Sequence, residues 1–581
     1  MTHLVAQKHE NLPPMKEPLA RYIPITQWLP RYQRSFLGAD LVAGLAVWAV
    51  LVPQSVAYAA LAGAPPQAGL ATALGAGVLY AIFGTCRQLD VGPSSTIAIT
   101  AAAALATVAA KFPAQSYTTL LAALALLTGI VLIAAGVARL GFVSEFLARP
   151  VLVGFISGIG LVIIVGQIPK LLGLPVESGN VPETIWRTIG ELDEISWETP
   201  AVGCAALAAL LVLRRVAPRV PWALVVTAVS VGLSRAFDFE AHGVAVIADV
   251  PAGLPTPTIP TVGFGEIGAL SSGALALALV ALAESIGAAR SLAAKGGYEI
   301  DPNQELVALG AANVGAGLLQ GFPVDASLSR SAVGAGAGVR TRLSGLVIAA
   351  LLVATMLFLT PLFDGLPQAT LAAIIIAAVI GLVDVKGFRT LWRIDQGDAQ
   401  LAVVGFVAVA FLGVLPGIVI AVVASLLALI RRAYRPRIAV LGRAMGEMST
   451  DEEYQFRSID RHPEYETIPG LVLFRFSNEL FFANASYFRD ETLRLVAESD
   501  PPARTVLVDA SAISHVDTTA LAMLEDLIDR LGSQGVTLEL ARATAALKDV
   551  LLETGLADRL GPDSMHRSVH AGVQAFLDRS G

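Results

Sequence analysis

Apolar stretches separated by polar or Pro/Gly breaks fall at about residues 40–62, 66–84, 93–110, 118–138, 144–167, 199–216, 220–236, 265–287, 303–320, 326–338, 343–360, 366–383, 398–414 and 416–431. Several of these fourteen segments are shorter than the ~20 residues a helix needs to cross a bilayer. Short segments of this kind predict half-helices, or pairs that share one crossing. After Arg431 and Arg432 the pattern changes. An apolar strand (LVLFRF, 471–476) is followed by a helix (485–497), a strand (RTVLVDA, 504–510), an amphipathic helix (517–531), a strand (GVTLELA, 535–541) and two further helices. Alternating strand and helix predicts a small α/β domain over 468–578. The charged, irregular stretch 433–467 reads as a linker, 1–35 as a polar N-terminal segment, and 36–432 as the membrane domain.

Two places in the membrane half echo each other. Segment three opens LDVGPSSTIAIT (89–100) and segment ten opens LQGFPVDASLSRSAV (319–333): a short extended piece, a proline, then a helix start dense in Ser and Thr. Seven segments separate the two, so the second copy is inverted across the membrane, the pattern of a secondary transporter built from a 7+7 inverted repeat. Proline suits the first helical turn, so Pro93 and Pro323 are expected to mark the starts of two broken helices whose N-termini point at each other near the midplane.

Composition fixes the class. Of 581 residues 55% are hydrophobic and 15% charged, and a mean hydropathy of +0.67 excludes an ordinary soluble protein of this length. Cys86 and Cys204 lie in apolar stretches and suggest neither a disulfide framework nor a thiol metal site. No Walker-type loop and no H-x-x-x-H pair on an apolar helix is present, which argues against ATP-driven pumping, and neither an enzyme nor a metal site is expected. No basic run points to nucleic acid. The first 34 residues lack a signal-peptide h-region, so the N-terminus is expected in the cytoplasm. With that start, thirteen Arg and Lys from Arg87 to Arg393 fall in inside turns, against Lys111, Lys170, Arg187 and Arg235 outside. The bias fits the positive-inside rule and predicts a multi-pass cell-membrane protein with both termini cytoplasmic. The acidic, Pro/Gly-rich loops 168–198 and 237–264 read as solvated faces.

An anion at mid-membrane needs positive potential without a large bare charge. Opposed helix N-termini supply it through free N–H groups and the macrodipole, about 0.3–1 kcal/mol each and up to ~2 when partly buried. Ser94, Ser95, Thr96, Ser327 and Ser329 add hydroxyl donors, although such residues also serve simply as caps. Arg330 lies seven residues after Pro323. A charged side chain at that depth is expected to line a cavity, and a guanidinium suits an oxyanion; the alternative is snorkelling toward the cytoplasm. Glu284, flanked by small residues in LALALVALAESIGAARS, reads either as a proton- or cation-coupling group or as a structural partner of Arg330. In segment one, Pro53 is expected to break the helix, and Gln54 and Tyr58, four apart, share a face. They either contact substrate or serve interhelical packing.

VPQSVAYAALAGAPP, VGPSSTIAIT, ESIGAARS and FPVDASLSRSAVGAGAG, in that order before an α/β tail, resemble the SulP sulfate permease family, also called solute carrier family 26, over about 35–578. The resemblance implies an α-helical polytopic membrane protein of fourteen segments in a 7+7 inverted repeat. Segments one to four and eight to eleven would form a core domain that moves as an elevator against a gate of segments five to seven and twelve to fourteen. It implies an anion site formed by Gln54, Tyr58, Ser94, Glu284, Leu328, Ser329 and Arg330, and a homodimer. The tail resembles the sulfate transporter and anti-sigma factor antagonist (STAS) domain, cytoplasmic in this family. Where that domain carries a D-S-S-G turn, this chain has Asp517, Thr518, Thr519 and Ala520, which makes Thr518 the candidate regulatory position and the tail a candidate site for docking a cytoplasmic protein. Segment ten departs from the commoner family form at Asp325 and Ala326. A carboxylate at Asp325 would repel an anion unless it faces away or binds a coupling cation.

These readings converge on a secondary active carrier of an oxyanion, sulfate first, coupled to H+ or Na+ and needing no cofactor. Dicarboxylate and bicarbonate transport, exchange or channel-like anion conductance remain open, as does a membrane-tethered regulator acting through its soluble domain.

Overall fold

The computed structural model describes residues 23–145, 149–176, 179–217, 220–247, 251–444 and 456–580. Most of the N-terminal segment 1–35 and part of the 433–467 stretch lie outside the described residues. The chain divides into two compact units, 1–425 and 426–581.

Within the first unit, each of the fourteen apolar segments carries a helix: α1 (Leu37–Leu61), α2 (Pro66–Phe83), α3 (Ser95–Lys111), α4 (Tyr117–Val137), α5 (Arg149–Leu172), α7 (Glu198–Val216), α8 (Trp222–Phe237), α9 (Phe264–Gly296), α10 (Pro302–Leu318), α11 (Leu328–Gly336), α12 (Leu343–Ala354), α13 (Gln368–Val379), α15 (Gln396–Leu412) and α16 (Val414–Tyr434), the last running into the second unit. Helices satisfy backbone polar groups internally, the condition hydrocarbon imposes. Among the described residues seven helical stretches are long and apolar enough to span a membrane. α9, at 33 residues, is about 50 Å long.

Three expectations need correction. α1 runs through Pro53 without breaking, a tolerance that neighbouring helices make possible at membrane depth. Two short amphipathic helices were not foreseen, α6 (Val181–Gly190) and α14 (Val385–Ile394), because their charged faces hid them among apolar stretches. α6 occupies part of the loop read as a solvated face; the Asn180 side chain caps it by accepting from Glu183 N–H at 2.9 Å.

Small residues bring the helices together. A methyl group at Gly129 of α4 would lie 2.6 Å from the Gly310 carbonyl oxygen of α10, and one at Gly310 the same distance from that of Gly129. Gly75 of α2 and Gly315 of α10 repeat this arrangement. Such backbone-to-backbone approach is how helices associate where burial from lipid supplies little drive. Around α10 pack α2 and α4; α9 lies on α3 and α4, and α11 and α12 lie on α1. A second group joins α5 to α13 and α15, and α7 to α8 and α13.

The second unit holds a mixed sheet in the order β4-β3-β6-β7-β8-β9. Its strands are β3 (Ile438–Ala444), β4 (Phe456–Ser458), β5 (Tyr465–Glu466), β6 (Leu471–Phe476), β7 (Thr505–Asp509), β8 (Thr537–Ala541) and β9 (Met565–His566). β6 to β9 run parallel and β3 pairs antiparallel with β6, Ile438 facing Phe476. The stretch read as a linker therefore supplies three strands. Its charged flanks masked the short apolar run IAVL. The helices are α17 (Ala485–Ala497), α18 (Thr518–Ser533), α19 (Ala545–Glu553), α20 (Leu556–Leu560) and α21 (Val569–Ser580), so three follow β8 where two were expected. Side chains of β6 alternate between two cores: Val472, Phe474 and Phe476 pack with Phe488 and Leu527, while Leu471 and Leu473 pack with Val573 and Phe576.

Candidate functional site

The two echoed motifs meet. Strand β1 (Val91–Gly92) pairs antiparallel with β2 (Asp325–Ala326), Val91 opposite Ala326 and Gly92 opposite Asp325. Facing residues in such a ladder lie about 4.5–5.5 Å apart, and because the strands run antiparallel the helices that follow, α3 and α11, begin at the two ends of this short ladder. Ser94 caps α3 by accepting from Ile97 N–H at 3.3 Å, and Ser327 caps α11 by accepting from Arg330 N–H at 3.4 Å. The prolines are not the helix starts: Pro93 lies two residues before α3 and Pro323 five before α11. A serine oxygen can accept the orphan N–H of a first turn, which a proline ring cannot.

Extended backbone this deep needs partners, and the surrounding helices provide them. Ser285 Oγ accepts from Ala326 N–H at 2.9 Å, Thr72 Oγ1 from Phe322 N–H at 3.0 Å, and Asn313 Oδ1 from Val324 N–H at 2.9 Å, while Asn313 Nδ2 donates to the Val324 carbonyl at 3.0 Å. Ser327 N–H donates to the Asp90 carbonyl at 2.9 Å and Asp90 N–H to Ser331 Oγ at 2.8 Å.

Arg330 is fully buried. Its Nε pairs with Asp90 Oδ2, and its Nη1 donates to the Pro93 carbonyl at 2.8 Å and to Gln54 Oε1 at 3.4 Å. Neither snorkelling nor pairing with Glu284 occurs; the arginine ties α1, β1 and α11 together. Its positive charge thus sits at the joined helix tips, with most of its donors spent inside the protein. Gln54, its oxygen facing Arg330, offers its amide N–H groups.

Around this tie the other predicted residues assemble. Tyr58 lies beside Ser95, Ser94 beside Asp325, Thr96 beside Glu284, and the two carboxyl groups beside each other. Neither oxygen of Asp325, nor Oε1 of Glu284, makes a hydrogen bond of good geometry among the described residues. Gln54, Tyr58, Ser95, Thr96 and Asp325 are buried, Ser94 and Glu284 partly so. Leu328 is 57% exposed and Ser329 is exposed, so the first turn of α11 presents its open side. Glu284 also borders a small apolar cavity of about 30 Å³ walled by Leu152 and Phe155 of α5 and by Ala421 and Val422 of α16.

Asp90 and Ser285 escaped the sequence reading. Asp90 lies in the polar break GTCRQLDVG between two apolar segments, where a carboxylate carries no signal of its own. A second buried cluster was also missed. Glu305 accepts from Tyr80 Oη at 2.7 Å, Thr85 N–H at 2.7 Å and Cys86 N–H at 2.8 Å, which fastens the α2–β1 turn to α10. Asp40 similarly accepts from Arg340 N–H at 2.8 Å and Thr341 Oγ1 at 2.6 Å, holding the turn before α12.

The sequence profile of the sulfate permease family matches residues 37–405, and that of the STAS domain residues 462–572. The chain belongs to the sulfate permease family. A protein described as a probable sulfate transporter of Mycobacterium tuberculosis is 37% identical over 548 residues, 94% of this chain and 97% of that protein. The chloroplastic sulfate transporter 4.1 of Arabidopsis thaliana is 32% identical over 571 residues, 95% and 82% of the two chains. The structure of the murine solute carrier 26 member A9 anion transporter in its inward-facing state superposes with a TM-score of 0.85 at 22% identity, over 99% of this chain and 97% of that one. The transmembrane domain of a cyanobacterial bicarbonate transporter gives 0.61 at 21% identity over 68% and 98%. The protein is thus a multi-pass membrane anion transporter of this family with a C-terminal STAS domain, and not an enzyme. In that domain Asp517 accepts from Ala520 N–H and Phe482 N–H, both at 2.8 Å, and leaves Thr518 exposed at the first turn of α18.

Proposed function

We propose that the protein accumulates sulfate by coupling it to H+ or Na+, through elevator movement of α1–α4 with α9–α12 against the remaining membrane helices. The observation that carries this reading is the β1–β2 pair, which sets two serine-capped helix tips together beside a buried arginine. A tetrahedral dianion on the open side of α11 would receive hydroxyl and amide donors from Ser329, Ser94 and Gln54, with Tyr58 and Leu328 as walls. Arg330 acts by charge and by holding the tips rather than as a clamp.

Coupling follows from the carboxyl groups. Glu284 and Asp325 stand beside the same tips, and a full negative charge on either opposes an anion there. A proton or a sodium ion that neutralises them restores the positive potential, so cation and anion bind best together. The elevator reading is supported by the packing: the first group of helices is held by backbone contacts between glycines, and the main contacts to the second group come from α1 with α8 and α13 and from α3 with α5. The same reading puts the protein in the cell membrane as a homodimer with cytoplasmic termini, its STAS domain open to a cytoplasmic partner and to modification at Thr518. Uptake of labelled sulfate into proteoliposomes under an imposed pH or sodium gradient tests it, with bicarbonate, fumarate and chloride as competitors. Absence of sulfate uptake under both gradients overturns it.

A further inference from the structure

Behind the β1–β2 pair, toward the start of α1 and the end of α2, lies a second, partly open space of about 40 Å³. Val47 and Gln54 are seven residues apart on α1, which separates this space from the substrate pocket by about 10 Å along the helix. Its walls include Tyr80, Arg87, Arg330, Arg342 and Ser344.

Two of these arginines have donors to spare. Arg342 is 6% exposed; its Cζ lies over the Tyr80 ring, 4.1 Å from the centroid, and its Nη1 donates to the Leu89 carbonyl at 3.5 Å. Its Nε and Nη2 make no hydrogen bond of good geometry among the described residues, nor does Nη2 of the fully buried Arg330. The acids nearby are already engaged. Asp90 pairs with Arg330, Glu305 accepts from Tyr80, Thr85 and Cys86, and Asp40 accepts from the Arg340–Thr341 turn. Buried guanidinium donors without acceptors are costly, and a planar fork held over a ring is set to receive an oxygen or a halide.

We propose that this cavity is a second anion site, in which Arg342 and the free edge of Arg330 hold one small inorganic anion, halide or single oxyanion, on the reverse side of the tie that supports the substrate pocket. The site depends on the two arginines and not on which substrate the front pocket carries. A 40 Å³ space exceeds the ~10–15 Å³ that one water needs, which leaves room for a small ion. An anion there would give the unused guanidinium N–H groups an acceptor and stiffen Arg330 from behind.

Equilibrium dialysis of the purified full-length protein against ³⁶Cl⁻ and ³⁵S-sulfate together tests the assignment. Total bound anion should reach two per chain in the native protein and one in Arg342→Gln. Ser344→Asp, which places a carboxylate at the cavity wall, should likewise bind one and covers the case in which Arg342→Gln does not fold. A total of one that is indifferent to both substitutions overturns the inference, as does a total of two that survives either. Should the substrate-pocket reading be the one at fault, the total is one and Arg342→Gln abolishes it, so the two failures are distinct.

Discussion

Replacing Glu284 with glutamine keeps the side chain's shape beside Thr96 and Asp325 while removing its ability to carry charge. An anion seated at the tips of α3 and α11 would lie on the order of 5 Å from this carboxyl group. At that distance a full charge opposes a unit anion by about 3 kcal/mol with an effective dielectric constant near 20, or roughly a hundredfold in affinity. Sulfate carries two charges, so the native protein should bind it at least a hundredfold more weakly when the acidic pair carries that charge than when a cation or proton neutralises it. With Asp325→Asn in the same chain, Glu284→Gln should hold the tighter affinity throughout, since no carboxyl group of the pair is left to charge. It should exchange internal for external sulfate at near-native rates and fail to concentrate it, because the anion no longer needs a cation to join it. Two measurements on one set of proteoliposomes separate these functions: equilibrium exchange of labelled sulfate without a gradient, and net accumulation with one. Accumulation by Glu284→Gln at the native level refutes the coupling argument, and loss of both exchange and accumulation refutes the claim that the carboxyl group opposes the anion.

Arg330→Gln leaves the Asp90 carboxylate, 13% exposed, without its counter-charge, a change that costs up to about 3–5 kcal/mol when both partners are fully buried. Transport should fall at least tenfold with a lower melting temperature, and Asp90→Asn in the same chain should recover part of the thermal loss; no recovery argues against the pair. Gly310→Ala pushes a methyl group to 2.6 Å from the Gly129 carbonyl oxygen. Overpacking of this kind costs about 1–3 kcal/mol, so the melting temperature of the purified protein should fall, whereas Gly77→Ala, which meets nothing within 4 Å, should leave it unchanged. Truncation after residue 464 keeps β3 but removes β6, its partner through Ile438 and Phe476. That exposed edge should aggregate in gel filtration, while truncation after Tyr434 should stay dispersed and keep measurable sulfate uptake.

The apolar stretches were legible because hydrocarbon demands internally bonded backbone, and each of the fourteen carries its helix. The paired motifs were legible because proline and serine at mid-membrane have few other uses. Their exact helix starts were not: proline's fixed backbone marked Pro93 and Pro323, but the orphan N–H groups are capped at Ser94 and Ser327. Arg330 stood out as a charge, yet its partner was invisible in sequence, since Asp90 lies 240 residues away and is joined to it only when β1 meets β2. The polar residues that hold extended backbone, Thr72, Ser285 and Asn313, resemble ordinary helix positions until the backbone they serve is located. β3 was lost for a different reason. A seven-residue strand between charged flanks carries little periodic signal, and its antiparallel place beside β6 is set by the tertiary fold.

The ladder between β1 and β2 has a consequence for release. The two halves of the repeat each contribute one tip to the pocket, and main-chain hydrogen bonds couple those tips as a single piece. Neither can withdraw from cargo without breaking the weave that holds both. Cargo must then leave from an intact cradle, by a change in what covers it, and its grip on the anion should be alike whichever face of the membrane it is open to.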